Sequence, residues 1–183
     1  MGVPTVVAGG LVVALAQGAL AANITVSGTQ FKLSADKLVG DGFTQYSGYK
    51  NASTGTTYMA MSGIQSAELT NLCQSVSASG LTLRIEAGKD ASNPVKAKDL
   101  LIGMSELGGD ATFENIQIGL DASTLDADGQ ATHGGVGQFG QQATKVTINN
   151  LKQKAYYTQA STFTLNGMSL KFYVGGSHEC YSD

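Results

Sequence analysis

The chain has 183 residues, a net charge of −3 and charged side chains at 14 % of its positions, well below the roughly 25 % of an average soluble domain. Its 11 lysines and arginines form no basic run, which argues against nucleic acid as a partner because phosphate binding needs clustered positive charge. The low charge favours an exported or assembled protein.

The opening segment is apolar, and no formally charged side chain occurs before Lys32. Residues 3–22 would span about 30 Å as a helix, the thickness of the hydrocarbon core of a bilayer. Ala19-Leu20-Ala21 fits the small-x-small pattern of signal cleavage. The segment therefore predicts export, with the protein at the cell surface or outside the cell.

We expect this segment to be retained as an apolar helix over residues 1–22, followed by a single β-domain over residues 23–183. Signal peptides begin with basic residues, and none precedes the apolar stretch. Its small residues recur on one helix face, which suits close packing in lipid or against other subunits. They are Gly10, Ala14, Gly18 and Ala22. The segment predicts contact with membrane lipid or a helical core that joins copies of the chain.

After residue 22, alternation of apolar and polar residues predicts strands, and no stretch keeps a helical period. Residues 81–88, "LTLRIEAG", alternate throughout. Weaker patterns cover residues 24–35, 56–64, 99–107 and 145–158.

The C-terminal run "STFTLNGMSLKFYVGG" contains Asn166-Gly167, a strong signal for a two-residue hairpin. In that hairpin Phe163 would oppose Leu170, so that the apolar residues share one face.

A short pattern, apolar-x-Asn/Gly-apolar, recurs around Asn71, Asn115, Asn150 and Gly167. Asn and Gly tolerate left-handed backbone, so each occurrence predicts a tight bend between strands. The irregular spacing disfavours a strict solenoid. We therefore predict a β-sandwich or jelly roll, or an irregular β-helix.

Residues 121–142 form a long Gly-rich stretch, which predicts a mobile or interacting loop. Its candidate contact residues are Asp126, Asp128, His133 and Phe139. Asp126-x-Asp128-Gly129 resembles half of a calcium loop, but Thr124 and Gly135 stand where carboxylates are needed. Gly135, Gly137 and Gly140 have the spacing of the dinucleotide-binding motif, but the surrounding sequence lacks the strand and helix that the motif needs. We predict neither a metal nor a cofactor.

Cys73 and Cys180 are the two cysteines. In an exported protein they are most simply one disulfide, and two unpaired buried thiols are the alternative. Neither lies in a C-x-x-C motif, which argues against redox catalysis and a zinc site.

Several runs resemble one known family. They are "DLLIGMSELGGDATFENIQIGLDASTLD" (residues 99–126), "GQFGQQATKVTINNLKQKAY", "FTLNGMSLKF", "SAELTNLCQS" and, near the start, "VSGTQFKLSADKL". Together these runs resemble an actinobacterial family of exported proteins of unknown function, DUF6230. The resemblance implies a partner in a small multi-span membrane protein, which tends to be encoded beside members. It also brings the label "cholesterol esterase", often given to members automatically.

The residues do not support that label. An α/β-hydrolase needs a Gly-x-Ser-x-Gly elbow and a histidine base, and the nearest match, around Ser105, has its second glycine one place late. A triad on another scaffold would need Ser105 or Ser177 with His133 or His178.

We therefore expect a non-enzymatic structural protein of the cell surface or envelope that is anchored, or assembles with copies of itself, through its N-terminal helix. An alternative is a lipid-binding β-domain that uses Met59, Met61, Met104, Phe113 and Phe163, although a place in an ordinary core is the simpler explanation for these residues. A second alternative is a hydrolase of lipid or sterol esters.

Overall fold

The structure, a computed structural model, describes residues 25–131, 133–175 and 177–183. These residues form one antiparallel sheet of nine strands and a short 3-10 helix, Ala122–Thr124. The strands are β1 Phe31–Ala52, β2 Gly55–Thr70, β3 Leu72–Ala78, β4 Leu81–Ala87, β5 Val95–Glu114, β6 Gln117–Asp121, β7 Phe139–Gln159, β8 Thr162–Thr164 and β9 Ser169–Val174. The prediction of a mainly β chain is confirmed.

The predicted fold class, an apolar helix followed by a sandwich, jelly roll or irregular β-helix, is wrong, because the described residues form a single sheet and contain no α-helix. The stretch predicted to be that helix, residues 1–22 with Gly10, Ala14, Gly18 and Ala22, lies outside the described residues. No helix in the described part of the chain is long and apolar enough to cross a membrane.

The sheet runs in the order β6-β7-β5-β2-β1-β3-β4-β9, and an additional pairing of β7 with β1 closes four strands into a ring. Closure is possible because these strands are long and change partner along their length. β1, for example, pairs with β3 at residues 32–34, with β2 at residues 37–52 and with β7 at residues 31–46. The predicted sandwich, jelly roll or β-helix is therefore wrong: one sheet curls on itself.

The main apolar core is built by the ring strands and the ends of β3 and β4. It includes Leu33, Phe43, Ile64, Leu72, Val95, Leu100, Ile102, Met104, Val146, Ile148 and Leu151. A smaller cluster holds Tyr46, Met59, Met61, Ala122 and Leu125. The three methionines considered for lipid contact are all buried in these cores.

The predicted bends are confirmed as positions of left-handed backbone. φ is 53° at Asn71 and Asn115, 56° at Asn150 and 66° at Gly167. Asn71 separates β2 from β3, and Asn115 separates β5 from β6. Asn150 differs, because it bends β7 from within, beside the register shift between Gly108 and Asp110 of β5. The bends let one continuous sheet change direction.

The predicted hairpin at Asn166-Gly167 forms its turn but not its ladder. β8 pairs with β5 instead, and β9 pairs with β4. The turn is held from outside: the carbonyl of Asn166 accepts from the N–H of Gly88 at 2.7 Å, and its side-chain amide donates to the carbonyl of Pro94 at 2.9 Å. Tertiary hydrogen bonds therefore redirect the two strands to different partners.

Replacing Asn71 tests the bends. A left-handed conformation costs an ordinary L-residue about 1–2 kcal/mol, so Asn71→Ala is expected to lower the free energy of unfolding by that amount. Asn71→Gly loses the same side-chain hydrogen bond to Asp36 but keeps the backbone freedom, and is expected to cost less than about 1 kcal/mol. Urea denaturation compares the two; equal losses would contradict the strain argument.

Candidate functional site

A C-terminal strap, residues 177–183, covers the polar face of the β1–β3–β4 region. The disulfide predicted between Cys73 of β3 and Cys180 of the strap is confirmed, and the alternative of two free thiols is wrong. The hydroxyl of Ser75 accepts from the N–H of Cys180 at 3.0 Å. The Arg84 guanidinium donates to the carbonyls of His178 and Glu179 at 3.2 and 3.4 Å. The strap is thus tied by one covalent bond and several polar ones.

Lys32 adds an ionic tie between β1 and the strap. Its ammonium group lies 3.3 Å from the carboxylate of Glu179 and 3.2 Å from that of Asp183. Burial would lower the pKa of Lys32, but these two carboxylates outweigh it and raise the pKa. His178 stacks on Tyr173 of β9, with 4.0 Å between ring centroids. The polar face is therefore covered from β1 to β9.

The opposite face of β4 and β9 is apolar, and no other described residues cover it. Register places Leu81 opposite Val174, Leu83 opposite Phe172 and Ile85 opposite Leu170. The β9 side is the more open: Met168 and Leu170 are each 53 % exposed, Phe172 61 % and Val174 83 %. We call this surface the β4–β9 apolar face. β9 is also the last strand of the sheet, so its outer edge has no partner strand among the described residues.

Beside this face lies a groove of about 610 Å³, which we call the aromatic groove. It runs between the end of β7, β8 and the β3–β4 pair. It is lined by Phe31, Leu72, Gln74, Ile85, Tyr156, Tyr157, Thr158, Gln159, Ala160, Phe163 and Leu165. Ile85 belongs to both surfaces, so the groove opens onto the β4–β9 apolar face.

A second groove, of about 580 Å³, contains four residues singled out from the sequence. Met59, Met104, Ser105 and Phe139 line it together with Tyr46 and Tyr58. Phe139, at the start of β7, is 59 % exposed. The hydroxyl of Ser105 accepts a hydrogen bond from the side-chain amide of Gln30.

A buried carboxylate–imidazole pair joins the long loop to the sheet. Asp128 and His133 are each 3 % exposed, with 2.7 Å between Oδ1 of Asp128 and Nε2 of His133. A carboxylate can only accept, so the ring N–H donates. Thr44 of β1 donates to the second carboxylate oxygen at 2.9 Å, and the N–H of Gln130 donates to the first at 3.1 Å. The loop predicted to be a mobile contact element is therefore anchored at its centre.

The surroundings of this pair shift two pKa values. Burial alone would raise the pKa of Asp128, but the hydrogen bond from His133 and the other donors outweigh it and hold that pKa below its usual 3.8. Tyr46 meets the His133 ring edge-on, with 5.4 Å between centroids. Burial and the charge of Asp128 raise the pKa of Tyr46. Gly63 permits the close approach, because a Cβ there would lie 2.1 Å from Oδ2 of Asp128.

The remaining predicted residues are dispersed. Asp126 is exposed and accepts from the Gln142 amide at 3.2 Å. Among the described contacts, no hydrogen bond joins Ser105 or Ser177 to either histidine. The described part of the chain contains no group of three or more His, Cys, Asp or Glu side chains that could bind a metal ion.

The sequence interpretation missed the β4–β9 apolar face. Its signal was present, since Met168, Leu170, Phe172 and Val174 alternate with polar residues. The Asn166-Gly167 signal instead predicts a hairpin in which these residues share one face with the apolar residues of the preceding strand.

A comparison with models of protein families matches residues 27–181 to one described as "Family of unknown function (DUF6230)". No curated protein and no solved structure matches the chain.

Proposed function

This chain belongs to the DUF6230 family of unknown function, and we propose that it is an exported, non-enzymatic structural protein of the cell surface or envelope that assembles with copies of itself. The observation that carries the proposal is the β4–β9 apolar face beside the edge of β9, which has no partner strand in the described part of the chain. We further propose that the occupant of this face and edge is a second copy of the chain.

Exposed edge strands are normally protected by charges, prolines or bulges, because their free backbone groups recruit other strands. β9 has one charged residue, Lys171, and it lies beside Arg84 on the side away from the apolar residues. Large exposed apolar patches mark interaction surfaces. Both the edge and the face of β9 therefore favour a partner that supplies another strand with an apolar face.

A second β9 strand meets both requirements in an antiparallel two-fold arrangement. Residues directly opposite each other share a sheet face, so the apolar residues of both copies align in every register that is centred on a residue of β9. The register centred on Lys171 brings two like charges together, which is destabilising. We propose the register centred on Phe172, the middle one of the three exposed apolar residues of β9. In it Leu170 of each copy faces Val174 of the other, and one sheet continues through both molecules.

Export is supported by the disulfide, because such bonds persist in oxidising compartments. A structural role is supported by the state of the candidate catalytic groups, since Ser105 accepts a hydrogen bond from Gln30 and the His133 ring is buried away from solvent. Membrane lipid and a multi-span membrane protein remain proposed partners of the assembly.

Substitutions at Phe172 test the two-fold register. Burying one phenylalanine contributes about 1.5–3 kcal/mol, and Phe172→Glu also places two carboxylates opposite each other. We expect sedimentation equilibrium to show associated wild-type protein and a dissociation constant raised at least about ten-fold in the variant. Val136→Glu is the matched control, because Val136 is an 87 % exposed apolar residue elsewhere.

The register itself is tested by mixing Phe172→Glu with Phe172→Lys. In the proposed dimer the two substituted side chains face each other, so the mixture is expected to associate more tightly than either variant alone. A monomeric wild-type protein, or equal effects of Phe172→Glu and Val136→Glu, would overturn the proposed assembly. Association without recovery in the mixture would overturn the register.

A further inference from the structure

We infer that the aromatic groove is a binding site for an uncharged chain molecule, a hydrocarbon or acyl chain that carries a neutral oxygen group such as a hydroxyl or an ester. The inference goes beyond the proposed assembly and does not depend on it.

The size and the walls of the groove fit such a ligand. Its volume of about 610 Å³ lies within the range of about 300–1,000 Å³ that is usual for small-molecule sites, which are mostly apolar with a few placed polar groups. Four of its lining residues are aromatic: Phe31, Tyr156, Tyr157 and Phe163. Aromatic side chains offer flat apolar surface to a chain laid along the groove.

The residues that line the groove disfavour a charged ligand. None of the described residues that line it is an aspartate, glutamate, lysine, arginine or histidine. A carboxylate or phosphate placed there would lose its hydration without gaining a cation, which is costly. A neutral head group carries no such cost.

Thr158 supplies the polar contact. Thr158 lines the groove, and its hydroxyl is shielded from solvent without a hydrogen-bond partner among the described residues. The neighbouring polar pair is already engaged, because the hydroxyl of Tyr157 donates to the side-chain carbonyl of Gln159 at 2.5 Å. A buried hydroxyl left unpaired destabilises the protein. Rotation of the Thr158 side chain about χ1 to another staggered rotamer would turn the hydroxyl toward the groove, where a ligand oxygen would satisfy it. We assign Thr158 as the hydrogen-bonding residue of the site.

The groove also has an apolar entrance. Ile85 lines it and, through its register with Leu170, continues into the β4–β9 apolar face. A chain longer than the groove would therefore extend over apolar side chains.

Fluorescence titration with N-phenyl-1-naphthylamine, a neutral apolar probe, tests the site. We expect saturable binding to the full chain and displacement by 1-hexadecanol, with palmitate at pH 8 a weaker competitor. Phe163→Asp is expected to weaken probe binding at least about ten-fold because it puts a carboxylate among the rings. Val136→Asp, which adds the same charge outside the groove, is expected to leave binding unchanged.

Thr158→Val tests the polar contact with little change of shape. It is expected to weaken 1-hexadecanol about five-fold, the effect of one lost hydrogen bond, and to leave the probe's own affinity unchanged. Circular dichroism checks that each variant is folded, and Phe163→Ala replaces Phe163→Asp if the latter is not.

The proposal is overturned if the wild-type chain shows no saturable probe binding, if Phe163→Asp and Val136→Asp behave alike, if palmitate competes as well as the alcohol, or if Thr158→Val binds 1-hexadecanol like the wild type. Repeating the titration in the Phe172→Glu background separates ligand binding from assembly. Binding retained in a monomer supports the groove whatever the fate of the proposed dimer.

Discussion

Removing the Cys73–Cys180 disulfide is expected to lower the free energy of unfolding by about 4–5 kcal/mol. The bond closes a loop across a sequence separation of 107 residues, and in the chain-entropy model a loop of about that length restricts the unfolded chain by this amount. The measurement is guanidinium denaturation of the double variant Cys73→Ala/Cys180→Ala and, separately, of the wild type in reductant.

Ser177→Ala is the control, because it changes an exposed position in the same strap and leaves the cross-link intact. It is expected to alter stability by less than about 0.5 kcal/mol. A loss below about 1 kcal/mol in the double variant would show that the ties from Lys32, Ser75 and Arg84 hold the strap without the disulfide.

Breaking the buried Asp128–His133 pair is expected to cost about 2–6 kcal/mol, because Asp128→Ala leaves two buried donors without their acceptor, at about 1–3 kcal/mol each. Asp128→Ala deprives His133 and Thr44 of their acceptor, and the loop loses its anchor on β1. Denaturation measures the loss, and limited proteolysis reports whether the loop opens before the sheet. Asp126→Ala, at an exposed position two residues earlier, is expected to cost less than about 1 kcal/mol.

The Asp128 carboxylate also makes the free energy of unfolding depend on pH. The folded pKa of Asp128 lies below its usual value of 3.8, so the unfolded chain binds the proton more readily. Its contribution is therefore present above about pH 4 and is lost as pH falls through the folded pKa. Glu86 and Asp183 have lowered pKa values as well and act in the same direction. To isolate the contribution of Asp128, the free energy of unfolding of the wild type and of Asp128→Asn is measured as a function of pH. We expect the difference between the two curves to shrink below pH 4. Parallel curves there would contradict the assignment.

The sequence revealed local backbone preferences well. The alternation in residues 81–88 became β4, and the bends at Asn71, Asn115, Asn150 and Gly167 all adopt the left-handed backbone that their residue types tolerate. These features depend on each residue and its near neighbours, so the order of amino acids is enough to predict them.

Local sequence patterns do not determine which strands pair with each other. Asn166-Gly167 favours a hairpin, yet Gly88 and Pro94 hold the turn from other parts of the chain and send β8 and β9 to different strands. The apolar residues of β9 consequently became a surface. The sequence places Asp128 and His133 in an interacting loop. Their spacing does not indicate that Thr44 and Gly63, which are distant in sequence, leave room for a buried pair.

The sequence by itself determined that the chain is β-rich and where it bends, and it favoured a disulfide over two free thiols. Only the tertiary structure decided that Cys73 and Cys180 are bonded, that four long strands close into a ring and that the strap covers the polar face. It also decided that no other described residues cover the β4–β9 apolar face or fill the aromatic groove. The physical reason is that alternation specifies two faces for each strand without specifying its neighbours. Contacts between residues far apart in sequence decide which of those faces is buried.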